Sequence, residues 1–148
     1  MLVFKFGGAS VKDASAVRNV AEIIRLYPNE KLLVVISAMG KTTNLLETIV
    51  TAYWQKDTSA FESAIQETEK YHLQIASDLF QDTSAPIFSE IQDIFNTLRQ
   101  KIKETPSTDF SLEYDQIVSL GEVLSTKIVA AFLQNYNFSA SWADARNL

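Results

Sequence analysis

Short apolar runs alternate with a helical pattern at the start of the chain. Leu2–Phe6 is mostly apolar and β-prone, and Gly7-Gly8 ends it, which predicts a buried strand followed by a tight turn. From there to Pro28, apolar residues recur at three- and four-residue spacing, which predicts an amphipathic helix with Ser10 as its N-cap. Residues 31–37 form a second run, whose unbroken apolar core suits a parallel strand covered on both faces, so a right-handed βαβ unit is expected.

Helical stripes dominate the remainder. One helix is predicted to begin at Thr42 or Thr43. Residues 58–104 carry two apolar stripes separated by a proline-containing loop, which predicts an αα-hairpin inserted between strands. A long helix is expected from about Leu112 to Asn135, followed by a third strand at 139–143. The pattern therefore predicts one α/β domain with a mainly parallel sheet.

Composition narrows the chemistry. The 148 residues include no cysteine, and His72 is the only histidine, so disulfides, thiolate metal sites and multi-histidine metal sites are excluded within this chain. The net charge is −5 without a basic cluster, which argues against nucleic acid as a partner. No apolar run approaches the roughly 18 residues of a membrane span, so we expect no membrane association and a cytoplasmic location.

The loop at Gly40-Lys41-Thr42 resembles the end of the phosphate-binding loop of nucleotide hydrolases. That loop has the pattern G-x-x-x-x-G-K-[ST], and here the position of its first glycine is occupied by Val35, inside the predicted strand. The loop is therefore too short to wrap a phosphate. The simpler interpretation is an ordinary strand-to-helix connection with Thr42 or Thr43 as helix cap.

The loop after the first strand is a better candidate for anion binding. Lys5 lies in an otherwise apolar strand, and adjacent Gly7 and Gly8 would let backbone N–H groups approach an anion closely, aided by the N-terminus of the next helix. The alternative is an edge strand with a solvated lysine. Both loops leave the carboxyl ends of strands in one βαβ unit, where open α/β sheets bind ligands, so we expect them to face one crevice.

A third feature lies in the last long helix. Gly121 costs about 1 kcal/mol relative to alanine in a helix, and such glycines often mark close backbone contact. Glu122 beside it either lies on a solvated flank or turns toward the crevice to bind a substrate ammonium or order a loop. His72 is expected to be a partly buried, hydrogen-bonded side chain without a functional role, and Trp142 is expected to be in the core.

Three segments resemble the N-terminal part of aspartate kinases, which belong to the amino-acid-kinase family. Lys5-Phe-Gly-Gly-Ala-Ser-Val11 is similar to the family's K-F-G-G-T-S-V. Val35-Ile-Ser-Ala-Met-Gly-Lys-Thr-Thr-Asn-Leu-Leu46 is similar to V-V-S-A-x-x-x-x-T-N-x-L. Leu120-Gly-Glu-Val-Leu-Ser125 and Trp142-Ala-Asp-Ala-Arg146 are similar to G-E-x-x-S and the D-A-R that follows it. The resemblance spans the chain and is weakest at 57–108.

The resemblance implies an incomplete three-layer α/β/α amino-acid-kinase fold, with 1–148 as the N-terminal part of the catalytic domain and a helical insertion at about 58–104. It implies transfer of the γ-phosphoryl group of ATP to the β-carboxylate of L-aspartate, the first step of lysine, threonine and methionine biosynthesis. ATP and Mg²⁺ would be bound largely by residues beyond this fragment, which we expect to be inactive alone. A homo-oligomer is expected.

The resemblance also implies roles for individual residues. Phosphate would be bound by Lys5, Gly7, Gly8 and Ser10, and Lys5 is the expected catalytic residue. Aspartate binding falls to Ser37, Thr43 and Glu122, and no residue here is expected to bind metal. Ala9 departs from the family threonine and removes a hydroxyl. Together with the missing second half, it leaves a non-catalytic amino-acid-sensing or assembly module of the same fold as the alternative.

Overall fold

The computed structural model describes residues 1–147, which form a two-stranded sheet and six α-helices. Single 3-10 turns lie at Gly8–Val11 and Ala145–Asn147. The strands are β1 (Leu2–Phe6) and β2 (Leu32–Ile36), and the helices are α1 (Ala14–Arg25), α2 (Thr42–Gln55), α3 (Thr58–Leu79), α4 (Pro86–Lys101), α5 (Phe110–Val118) and α6 (Leu120–Asn135).

The two strands pair in parallel, with α1 as the crossover between them. Leu2 is in register with Leu32, and Phe6 with Ile36. The βαβ unit and its parallel sheet are thus confirmed. Ser37 N donates to Phe6 O at 3.0 Å, so strand pairing continues for one residue beyond β2.

The sheet is covered on one face only by the described residues. Phe6, Val34 and Ile36 pack against the helical core, whereas Val3 is 60% exposed, Leu33 49% and Val35 44%. The expectation that β2 is covered on both faces is therefore not met by residues 1–147. The reason is that every α-helix of this part joins one hydrophobic core on the other face.

The helical hairpin forms as predicted. Phe61, Ile65 and Ile75 of α3 are buried with Ile91 and Phe95 of α4. A charged group reinforces the pair, because Arg99 of α4 contacts Glu62 at 3.0 Å and Glu69 at 2.7 Å. Aromatic and aliphatic side chains of the hairpin thereby extend the core that begins under the sheet.

The N-cap of α1 differs from the prediction. Asp13 is the N-cap, and its side chain accepts a hydrogen bond from Ala16 N at 2.8 Å. Ser10 lies instead in the preceding 3-10 turn, where its N–H donates to Gly7 O at 2.9 Å. The turn separates the glycine loop from α1, so the helix begins after Asp13 and not after Ser10.

The predicted long helix is present but tightens at Ser119, whose φ of −61° and ψ of −18° are typical of a 3-10 turn. By length and a mean hydropathy of 1.4, Phe110–Asn135 could cross a membrane, yet 56% of its most apolar window is buried inside the protein. Burial of that kind is expected of a core helix. Asp109 caps the start of this region by accepting from Ser111 N at 2.9 Å.

The predicted third strand at 139–143 is not formed. These residues have no regular secondary structure and pair with neither strand of the sheet. They are held by other contacts: Gln134 Nε2 donates to Ala140 O at 2.9 Å, and Trp142 Nε1 donates to Thr126 Oγ1 at 2.9 Å. Trp142 is half-buried, with the Lys127 ammonium 4.3 Å from its ring centroid.

Candidate functional site

The loops that follow β1 and β2 are in direct contact. Gly40 N donates to Gly8 O at 3.0 Å, which joins the middle of one loop to the middle of the other. A Cβ on Gly8 would lie 2.6 Å from Ala38 O, so only glycine permits this approach. The expectation that both loops meet at the carboxyl edge of the sheet is confirmed.

The second loop is short and ends in a helix without a side-chain cap. Five residues separate Ile36 from Thr42, the first residue of α2, and Gly40 turns the chain with a φ of +53°. Neither Thr42 nor Thr43 caps the helix, contrary to the simpler interpretation of this segment. A loop of this length does not wrap around a phosphate as a nucleotide-hydrolase loop does.

The first loop presents open backbone. Nothing lies within 4 Å of a Cβ built on Gly7, and within residues 1–147 the N–H groups of Gly7 and Gly8 make no hydrogen bond. Ala9 and Ser10 are exposed beside them. The helix that follows this loop, α1, begins at Ala14 beyond the 3-10 turn, and Asp13 caps its first turn, so the contribution of its N-terminus to anion binding stays a prediction.

Lys5 is exposed on the open face of the sheet. It is in register with Val35 and shares that face with Val3 through the alternation of β1. Ser37 follows Ile36, so the same alternation places it on the face of Lys5. In residues 1–147 the lysine is therefore an exposed cation next to the carboxyl edge of the sheet rather than a member of a buried ion pair.

Glu122 is held at the second loop by the close approach of α6. A Cβ on Gly121 would lie 2.9 Å from Ala38 Cβ and 3.1 Å from Leu46 Cδ1, which explains the helical glycine. Glu122 is exposed, and its Oε1 accepts from Ala38 N at 3.4 Å. The carboxylate thus contacts the second loop, and its role in binding a substrate ammonium or ordering that loop stays a prediction.

The remaining predicted residues line the same loop. Ser37 and Thr43 are half-buried, and in the described part of the chain neither hydroxyl makes a hydrogen bond. Both hydroxyls remain available to a ligand. Lys41 is exposed at the start of α2.

Two residues of α3 also reach the loops, although sequence analysis assigned no role to either. The Tyr71 hydroxyl donates to Lys12 O at 2.5 Å. His72 is fully buried, with its Nε2 3.3 Å from Thr42 Oγ1 and its Nδ1 2.7 Å from Thr68 O. Burial lowers the pKa of His72 to about 4, against the opposing hydrogen bond to Thr68, so the ring is neutral at physiological pH. A single histidine among the apolar residues of a helical stripe was the sequence feature that could have indicated this contact.

Acidic groups do not assemble a metal site among residues 1–147, which contain no group of three or more His, Asp or Glu side chains placed to hold an ion. Asp144, in the segment similar to the D-A-R motif, is paired with Arg146 at 2.6 Å. Hydrogen bonds from the Arg146 side chain and backbone lower the pKa of the Asp144 carboxyl to about 2.

The architecture defines a class of protein before any comparison. Two parallel strands end in touching loops, one with free glycine N–H groups and one lined by small hydroxyls and a carboxylate, which is typical of α/β proteins that bind small anionic ligands at strand ends. The amino acid kinase family model matches residues 1–148. The chain belongs to this family.

Aspartokinases are among the relatives of known activity. Aspartokinase 1, chloroplastic, of Arabidopsis thaliana is 33% identical over 97% of this chain, and the match covers 25% of the relative. The bifunctional aspartokinase/homoserine dehydrogenase of Daucus carota is 29% identical over 99% of this chain and 16% of its own length. The chain thus spans about a quarter or less of these relatives.

Solved structures agree with this relationship. E. coli aspartokinase III in complex with aspartate and ADP superimposes with a TM-score of 0.75 at 26% identity, covering 97% of this chain and 31% of that one. The same enzyme in complex with lysine and aspartate gives a TM-score of 0.76 at 27% identity, with the same coverage. The incomplete α/β amino-acid-kinase fold is thereby confirmed.

Proposed function

We propose that this chain is the N-terminal, substrate-binding part of an aspartate kinase, which transfers the γ-phosphoryl group of ATP to the β-carboxylate of L-aspartate. The observation that carries the proposal is the contact of the glycine loop with the Ser37–Thr43 loop, with Glu122 reaching the latter. Family membership and the aspartokinase relatives support it. The helical hairpin at 58–101 is proposed to be an insertion in this domain.

Phosphoryl transfer requires positioning and neutralisation of charge more than covalent assistance. The Lys5 ammonium would neutralise oxygens of the transferred group, and the free N–H groups of Gly7 and Gly8 would donate to the same oxygens. Ser10, exposed on the 3-10 turn, would add a hydroxyl donor. Each group is solvent-accessible in the chain, as a phosphate contact requires.

The acceptor would bind on the other loop. Ser37 and Thr43 have free hydroxyls for the carboxylates of aspartate, within the region that the structure describes. Glu122 uses Oε1 to accept from Ala38 N, and the carboxylate is exposed for the substrate ammonium. The Glu122 side chain would then both order the Ser37–Thr43 loop and bind the substrate ammonium.

Nucleotide use is supported by the ADP complex of the E. coli relative, and Mg²⁺ is proposed from the chemistry of ATP. Mg²⁺ would neutralise phosphate charge when bound, and we propose that its ligands lie largely beyond this fragment. A place at the start of lysine, threonine and methionine biosynthesis, a homo-oligomeric state and a cytoplasmic location belong to the same proposal.

Paired variants of the full-length protein test this function. Lys5→Ala should reduce ATP-dependent acyl phosphate formation by a factor of about 10² or more, because the phosphate clamp is lost while the exposed side chain contributes little to folding. Glu122→Gln should mainly raise the KM for aspartate, because it keeps an acceptor for Ala38 N and removes the charge. Both are measured in a coupled kinase assay.

Lys31→Ala, which removes an exposed lysine at the opposite end of the sheet, is the matched control and should retain activity. A loss of threefold or less for Lys5→Ala would refute its role as the phosphate clamp. An unchanged KM for Glu122→Gln would remove that residue from the aspartate pocket.

A non-catalytic module is the second candidate, and Ala9 is the observation that favours it. Ala9 is exposed in the glycine loop, so the fold itself does not require the hydroxyl that this position lacks. In that case the protein would bind an amino acid without forming acyl phosphate. Aspartate binding by calorimetry, together with no turnover in the full-length wild type, would favour this candidate.

A further inference from the structure

Two consecutive residues of the helical hairpin contact the two loops of the site. Tyr71, half-buried on α3, donates its hydroxyl to Lys12 O, just beyond the 3-10 turn of the glycine loop. The same hydroxyl occupies the space beside Gly40, since a Cβ there would lie 2.5 Å from it. Tyr71 therefore abuts the turn of one loop while it is bonded to the end of the other.

His72 makes the second connection. Thr68 O can only accept, so Nδ1 of His72 carries the proton, and Nε2 is left as an acceptor for the hydroxyl of Thr42 at 3.3 Å. Both His72 and Thr42 are fully buried. Thr42 is the first residue of α2 and immediately precedes Thr43, the proposed aspartate ligand.

A buried polar pair of this kind is not needed for packing. An apolar pair of similar shape would fill the same volume without desolvating a hydroxyl and an imidazole. The hydrogen bond fixes how α3 packs against the start of α2, because its donor and acceptor meet in only one arrangement of the two helices. The hairpin thus constrains where the Ser37–Thr43 loop ends.

We propose that Tyr71 and His72 are positioning residues that hold the glycine loop and the Ser37–Thr43 loop at a fixed separation. Neither touches substrate: Tyr71 acts through Lys12 and Gly40, and His72 acts through Thr42 on Thr43. The kinetic effect expected from this positioning role rests on the proposed function. Its structural effect, the ordering of the two loops, does not depend on any activity.

Variants of the full-length protein test this role. His72→Phe and Thr42→Val should each raise the KM for aspartate about tenfold, the loss expected for one buried hydrogen bond, and the double variant should be no worse than either alone. Thr42→Ser, which keeps the hydroxyl, should restore a KM near that of the wild type. Tyr71→Phe, which removes only the hydroxyl, should lower kcat more than it raises the KM for aspartate.

Hydrogen exchange provides the readout that does not depend on catalysis. The amides of Gly40 and Thr42, bonded to Gly8 O and Met39 O, should exchange faster in Tyr71→Phe and His72→Phe. Leu98→Ala is the control for lost core stability, because it truncates a buried side chain of α4 and leaves the Tyr71 and His72 hydrogen bonds in place; it should keep the KM within twofold of the wild type, and any faster exchange that it causes sets the baseline for the two amides.

Exchange at Gly40 and Thr42 that is no faster in the variants than in Leu98→Ala would overturn the proposal, as would an unchanged KM in both His72→Phe and Thr42→Val. Failure of the proposed function is recognised separately. In that case the full-length wild type would form no acyl phosphate from ATP and aspartate, while faster loop exchange in the hairpin variants would still support the positioning role.

Discussion

Gly7 and Gly8 show, at the scale of single residues, how one residue type meets two different needs. Gly8 has no room for a side chain, since its Cβ would meet Ala38 O at 2.6 Å and Gly40 O at 3.2 Å. Gly7 has open space around it and an ordinary extended backbone, with a φ of −75°. The fold therefore requires glycine at position 8, whereas at position 7 we propose that the ligand requires it.

Alanine substitution separates these needs. We expect Gly8→Ala to lower the free energy of unfolding by about 1–3 kcal/mol, because a backbone oxygen must move. Gly7→Ala should leave it equal or raise it by at most ~1 kcal/mol, because the native φ suits alanine. Urea denaturation measures both.

Ligand binding gives the complementary result for this pair. In the full-length protein, Gly7→Ala should raise the KM for ATP, because a methyl group would occupy the space that phosphate oxygens need. A Gly7→Ala variant with wild-type KM for ATP would show that the glycine loop does not contact the nucleotide.

Helices are the scale at which sequence periodicity was most informative. The apolar stripes of α1, α3 and α4 predicted helices whose buried faces are those observed, because a 3.6-residue period is set by local geometry. The predicted N-cap of α1, Ser10, was wrong. Serine and aspartate both favour the N-cap position, and the 3-10 turn places Asp13 there. The contacts of α3 with the two loops could not be predicted from the periodicity of the sequence.

The junction of α3 with α2 predicts a pH dependence of stability. Burial holds the pKa of His72 near 4 in the folded chain, below its ordinary value of 6.5, so the unfolded chain binds more protons between these values. This contribution to stability is complete above pH 6.5 and is lost as pH falls toward 4. A His72 pKa of about 4 in the folded chain and 6.5 in the unfolded chain corresponds to a contribution of about 3 kcal/mol to the free energy of unfolding.

Urea denaturation of the wild-type chain and His72→Phe at pH 7, 6, 5 and roughly 4 measures this effect. Carboxylates contribute to acid destabilisation in both proteins, so the relevant quantity is the difference between their unfolding free energies. We expect that difference to change in favour of His72→Phe as pH falls below 6.5. A pH-independent difference would contradict a neutral, buried His72.

On the scale of the whole molecule, the open sheet face is the main feature. Val3, Leu33 and Val35 are between 44% and 60% exposed, together with Lys5, in a chain that spans about a quarter of its Arabidopsis relative. One layer of helices lies against the sheet in residues 1–147. Within residues 1–147 the proposed site has its loops and hydroxyls in place, and no group of three or more acidic or histidine side chains is placed to hold a metal.

This arrangement predicts that purified 1–148 does not form acyl phosphate from ATP and aspartate. The described residues supply one side of the crevice, and phosphoryl transfer requires charge neutralisation from a metal as well. A coupled assay at high protein concentration, with the full-length protein as positive control, measures this. Turnover by 1–148 would show that the proposed division of the site is wrong.

The sequence alone determined β1 and β2, most helical faces and the position of the glycine loop, because these depend on local periodicity and on residue types close together in the chain. Tertiary structure alone decided that one sheet face stays open, that 139–143 forms no strand, and that Tyr71 and His72 reach the loops. The physical reason is distance along the chain: Ala38 meets Glu122 across 84 residues and Thr42 meets His72 across 30, and only packing brings such groups together.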